Sequence, residues 1–170
     1  MIDKKIVTLL NEQINKEFFS AYLYLDMANF YAHKGLVGYE NWFKVQAQEE
    51  MAHAMLFRQY LINNGYAIDS TALGDPTKKY DDNKAPLLEA LKHEQYVTAS
   101  INAIYEQAMA HKDYRTLQFL DWFVKEQGEE EMNAEENIQK YELFGSDPKG
   151  LYLLDRELSS RVFTAPSLVL

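Results

Sequence analysis

Apolar residues recur at steps of three and four along most of the chain, and no segment alternates with period two for long enough to make a strand. Residues 1–34, 39–64 and 87–127 contain neither glycine nor proline, so three long stretches run without a helix breaker. The first predicted helix starts at Asp3, an N-capping residue, and runs to His33–Lys34, with Gly35 at the left-handed position beyond its end. A second runs from about Val37 to Asn64 and stops at Gly65. Residues 65–83 are too many for a tight turn and are expected to travel the length of a bundle. Pro86 fits the first turn of a third helix reaching about Lys112, and a fourth spans Asp113 to Gly145. Ser146-Asp147-Pro148 then opens a short fifth helix to about Ser160. The predicted fold is all-α: a four-helix bundle with a long crossover between helices 2 and 3 and a short fifth helix near the C-terminus. Residues 1–160 form the expected domain, and 161–170 a tail.

Each buried stripe is interrupted by carboxylate. The first reads Leu10, Ile14, Glu17, Ala21, Tyr24, Ala28, Tyr31; the second Phe43, Ala47, Glu50, Ala54, Phe57, Leu61, with His53 beside Ala54. The third reads Leu87, Leu91, Glu94, Thr98, Ile101, Tyr105, Ala108; the fourth Leu120, Phe123, Gln127, Glu130, Ala134, Ile138, Tyr141. Four carboxylates in a bundle core are untenable without counter-charge, and no Lys or Arg lies in these stripes. A bound cation is the economical solution. The spacing points the same way: Glu17 to Glu50 and Glu94 to Gln127 are both 33 residues, and Glu17 to Glu94 and Glu50 to Gln127 are both 77. Glu50-x-x-His53 and Gln127-x-x-Glu130 each put two side chains on one helix face. The result is a duplicated ligand pattern suited to two metal ions.

Composition narrows the field. The 170 residues hold 17 Lys+Arg against 26 Asp+Glu, a net charge of −9, and no cysteine. A thiol nucleophile, a disulfide scaffold and a cysteine-held iron–sulfur cluster are thereby excluded. The acidity argues against nucleic-acid binding, and no apolar run is long enough for a membrane span. The first twenty residues carry Asp3, Glu12 and Glu17 and show no signal peptide, so a cytoplasmic location is expected.

Asn11-Glu12-Gln13 followed by Glu17, the run Ala47 to His53, the run Glu126 to Glu131, and Gly150-Leu151-Tyr152 together resemble the bacterial non-haem ferritins over essentially the whole chain. The resemblance implies a ferritin-like bundle with two irons per subunit. Glu17, Glu50 and His53 would hold the first; Glu50, Glu94 and Glu130 the second, with Glu50 bridging. Gln127 would be a hydrogen-bonding or weak ligand and Tyr24 the tyrosine beside the centre. Glu49, Glu126, Glu129 and the shared Glu130 would form a third iron site. The implied activity is that of a ferroxidase, oxidising Fe(II) with O2 or peroxide and storing ferric mineral in a homo-oligomeric shell of twenty-four subunits. Tyr24, Glu50 and Gln127 would take part in the chemistry. Oxygen and imidazole ligands suit this use of Fe(II). A peroxide reductase-like di-iron enzyme without a storage shell is the alternative. Met51 raises haem binding, but haem-binding relatives repeat Glu-x-x-His on the fourth helix, where this chain has Gln127-x-x-Glu130. Haem is therefore not expected. His33, His93 and His111 read as surface residues, Trp122 as packing, and mid-helix Gly128 as a place for close packing or a bulge.

Overall fold

Asp3 accepts a hydrogen bond from the Lys5 amide at 2.8 Å and starts the first helix, α1 (Lys4–His33). In the computed structural model, which describes residues 1–170, it is followed by α2 (Val37–Asn63), α3 (Ala85–Ala110), α4 (Tyr114–Phe144) and α5 (Pro148–Leu158). Gly35, at φ +74°, closes α1: its amide bonds the Ala32 carbonyl and the Leu36 amide reaches back to Tyr31. Asp113 and Asp147 cap α4 and α5 through the Thr116 and Gly150 amides. The third helix ends two residues earlier than expected, because Lys112 itself turns left-handed (φ +54°) and the Asp113 amide closes onto the Ala108 carbonyl.

The crossover climbs along α1. The Asp69 amide bonds Asn11, the Lys78 amide bonds Asp26, and the Asn83 carbonyl accepts from the Tyr31 hydroxyl. α1 packs against both α2 and α3, and α3 against α4, whereas α2 and α4 never bring Cα atoms within 8 Å of one another. Large side chains fill that wider seam. Tyr60 stacks on Phe119 at 4.0 Å between centroids, Phe57 lies 4.2 Å from Phe123, and the Tyr60 hydroxyl meets Thr116 at 2.9 Å.

The buried face of α3 is rotated from the expected one. Leu87, Ala90, Glu94, Val97, Ile101, Ile104 and Ala108 are buried, while Leu91, Thr98 and Tyr105 of the expected stripe are only half-buried. The edge carrying His93 faces α1, and Thr98 and Tyr105 lie on the rim toward α4, where they bond Glu131 and Asp121. His93, expected at the surface, is buried on the side of α1, with Nε2 2.7 Å from the Ser20 hydroxyl.

α5 lies across the end of the α2–α4 seam. No side chain of α2's own N-terminal residues caps its first turn; Asp155 of α5 accepts from the Gly38 and Tyr39 amides at 2.8 and 3.0 Å. The approach is so close that a Cβ on Gly38 would fall 1.6 Å from the Asp155 carbonyl oxygen. No helix is long and apolar enough to cross a membrane.

The core falls into two apolar clusters. One holds Ile14, Phe57, Val97 and Phe123 among its members; the other holds Leu23, Ala47, Ala90 and Ile138. On every bundle helix the interrupting carboxylate falls between them.

Candidate metal centre

Each bundle helix delivers its polar side chains to this middle layer: Glu17 from α1, Glu50 and His53 from α2, Glu94 from α3, Gln127 and Glu130 from α4. All six are buried. Ligand atoms of Glu17, Glu50 and His53 lie within 4.8 Å of one another, and a second set of the same tightness comprises His53, Glu126 and Glu130. His53 Nδ1 stands 3.5 Å from Glu50 and Nε2 4.0 Å from Glu126, so the imidazole faces both sets. Its orientation is fixed by edge contacts with Trp122 and Phe123.

Amides and one hydroxyl orient the carboxylates. Gln13 donates to Glu17 at 2.8 Å, and Gln46 donates to Glu50 at 3.2 Å and to Glu130 at 2.8 Å. Tyr24 donates its phenol proton to Glu94. Gln127 turns its Nε2 toward Glu94, 3.1 Å from the carboxylate and 3.3 Å from the carbonyl, and toward Thr98. Its amide nitrogen thus serves as a hydrogen-bond donor to Glu94. Even so, Glu17 Oε2 and Gln46 Oε1 are buried without a partner.

Electrostatically the layer is uncompensated. Burial, then the neighbouring Glu50 carboxylate, pushes Glu17 well above the usual carboxylate range, against the opposing influence of His53 and Gln13. Glu50 is raised by burial and then by Glu94, and Glu130 by burial, Glu94 and Glu50. Glu94 is raised by burial despite the hydrogen bonds from Tyr24 and Gln127. Tyr24 is held protonated by burial and by Glu94. Converging carboxylates, an imidazole, an orphaned carboxylate oxygen and no buried ammonium or guanidinium make a donor set shaped for hard, multiply charged cations.

The sequence pattern that defines the ferritin-like domain matches residues 7–144, a stretch that contains every side chain of this layer. The chain belongs to the ferritin family. It is 36% identical over 160 residues to a bacterial non-heme ferritin of Campylobacter jejuni, covering 94% of this chain and 96% of the relative. A bacterial non-heme ferritin of Staphylococcus aureus is 34% identical over 163 residues, covering 96% and 98%. Among solved structures, an engineered closed form of the Archaeoglobus fulgidus ferritin superposes with a TM-score of 0.94 at 42% identity, covering 96% of this chain and all of that one. The open-pore ferritin of the same archaeon superposes with a TM-score of 0.92, also at 42% identity, covering 95% and 98%.

Of the residues of this ferritin expected to form a third site, Glu126 and Glu130 are brought together beside His53, while Glu49 and Glu129 have other partners. Glu49 is paired with Arg161 at 2.5 Å, and Glu129 is exposed and paired with Lys125 at 3.4 Å. Burial raises the pKa of Glu49 and of Glu126, with Arg161 opposing the shift at Glu49 and His53 opposing it at Glu126. Gly128 neither packs closely nor marks a bulge: a Cβ there would meet nothing within 4 Å, and α4 runs through it unbroken. It borders a cleft of about 350 Å³ between α3 and α4, beside Thr98 and Glu131, which are joined by a 2.5 Å hydrogen bond.

Gln13 and Gln46 were not among the expected site residues, although a signal was present. Each precedes its glutamate by four positions, and the two are themselves 33 residues apart, so they extend the same internal repeat.

Proposed function

We propose that this ferritin stores iron as a ferroxidase, oxidising Fe(II) to Fe(III) with O2 or peroxide and depositing ferric oxy-hydroxide inside a shell of its own copies. The observation that carries the reading is the convergence of Glu17, Glu50 and His53 within 4.8 Å in a buried layer that holds no counter-charge. Fe(II) is the substrate. Glu17, Glu50 and His53 would bind one ion, and Glu50, Glu94 and Glu130 the other, with Glu50 shared. Carboxylates favour the ferric state, which draws the oxidation forward. Gln46 holds Glu50 and Glu130 together, and so spans the two halves of the ligand set. Tyr24, bonded to Glu94, would hold a proton beside the reacting centre. The likeness to a ferritin described by its open pore supports assembly into a shell.

The test is aerobic addition of Fe(II) to metal-free protein, following the near-ultraviolet absorbance of Fe(III). Glu50→Ala should slow the fast phase by about 100-fold or more, since loss even of groups that merely orient ligands costs 10–100-fold. Glu17→Ala and His53→Ala should each lose the fast phase as well. Unchanged rates in all three would refute the assignment. Size exclusion separates the storage reading from a di-iron redox enzyme: a shell of 19.8 kDa chains elutes at several hundred kilodaltons, whereas the enzyme elutes as a monomer or dimer.

A further inference from the structure

Beyond α5 the chain turns back along the open α2–α4 seam and is fastened at both ends. At the near end, the Asn41 amide donates to the carbonyls of Leu158, Ser159 and Arg161 at 3.3, 3.4 and 2.9 Å. At the far end, Trp122 donates to Ser167 at 3.1 Å, and Leu168 packs against the cluster that contains Phe57 and Phe119. Arg161 is the best-held side chain of this strap. Its guanidinium lies 4.4 Å from the centroid of the Trp42 ring, donates to the Trp42 carbonyl at 3.2 Å, and meets Glu49 at 2.5 Å. Glu49 is only about one-fifth exposed and sits one residue before Glu50, at the edge of a seam that also presents Glu126.

We propose that Arg161 is a resident cation of this seam: it holds Glu49 and thereby restricts the chain to the buried layer for metal binding, leaving no independent ion at Glu49 and Glu126. The argument is one of charge and geometry. A half-buried carboxylate beside a second carboxylate and an imidazole is a natural extension of the buried donor set toward the surface. A planar guanidinium fixed by an aromatic face and a backbone carbonyl already supplies the positive charge there. It is also pre-organised, so a metal ion must displace the cation–π contact and the carbonyl bond along with the ion pair. With the guanidinium removed, Glu49 is left without its partner and becomes available, with Glu126, to a hard cation of two or three positive charges. The inference rests on the reading of the buried layer as a metal centre.

The experiment titrates metal-free, full-length protein with Tb(III), reading calorimetric stoichiometry and tryptophan-sensitised emission. Trp42 and Trp122 are the only tryptophans, and both flank this seam. Arg161→Gln should bind one more ion per chain than the wild type, with a gain in sensitised emission, and the added Glu49→Gln change should abolish both gains. Arg161→Lys, which keeps the charge without the planar fork, should show a partial gain. Thermal melts and size exclusion verify that each variant folds and assembles as the wild type does. If Arg161→Gln binds the same number of ions as the wild type, or its extra ion survives Glu49→Gln, the proposal is overturned. A wild type that binds Tb(III) equally well with and without His53→Ala would instead overturn the reading of the buried layer, whatever Arg161 does.

Discussion

The two ends of the bundle and its waist are built on opposite principles. At either end, layers such as Ile6, Leu10, Phe57, Leu61 and Phe123, or Met27, Phe43 and Leu87, interlock as apolar side chains and stabilise the fold by burial. At the waist the same four helices turn Glu17, Glu50, Glu94 and Glu130 inward, and each carboxylate is driven toward its neutral form. The ends hold the helices together; the waist is tolerated in the metal-free protein by protonation, and its donor set is one that could hold a metal. The contrast teaches that a buried layer of carboxylates needs apolar layers on both sides to support it.

The comparison breaks most visibly at the ends. Phe57 is fully buried against Phe119 and Phe123, so Phe57→Ala should destabilise the metal-free protein by about 3–5 kcal/mol in chemical denaturation. Next in size is His93, which lies beside the waist but bonds Ser20 of α1. Burial lowers its pKa to about 4, so the folded chain holds it neutral. The unfolded chain protonates near 6.5, and stability present above that pH is lost as pH falls toward 4, by about 3 kcal/mol in all. His93→Asn should flatten that acid limb in melts recorded from pH 7 to 4. A full acid limb in the variant would assign the effect elsewhere.

The smallest effect has the reverse sign and comes from the waist. Because the folded pKa of Glu17 is raised, the folded state retains a proton that the unfolded chain releases above about 4.3. Its contribution to stability is therefore complete at low pH and is lost as pH rises through the folded value. Glu17→Gln should accordingly stabilise the metal-free protein near neutral pH by about 1–3 kcal/mol, the cost of an unsatisfied buried polar group. The same variant should lose that advantage once divalent metal is added.

Much of this was legible in the sequence because it is local. Asp3, Gly35, Gly65, Asp113 and Asp147 mark helix ends by their own chemistry, and the stripes of α1, α2 and α4, except for the half-buried Tyr141, show which residues are buried. The polar layer was legible because the α1–α2 and α3–α4 hairpins repeat one spacing, which sets corresponding residues at the same depth. What escaped depends on partners remote in sequence. The buried face of α3 is set by its neighbours α1 and α4 together, which no property of α3 alone encodes. Asp155 caps a helix 117 residues away, and Arg161 neutralises a glutamate 112 residues away. Nothing near Gly128 explains the choice of glycine there.

The central claim is that the waist is a metal site, and anomalous diffraction tests it most directly. Crystals of the metal-free protein soaked anaerobically with Fe(II) should give anomalous peaks at the iron edge between Glu17, Glu50 and His53, and between Glu50, Glu94 and Glu130. Iron found only at surface carboxylates, with the buried layer unchanged, would contradict the account.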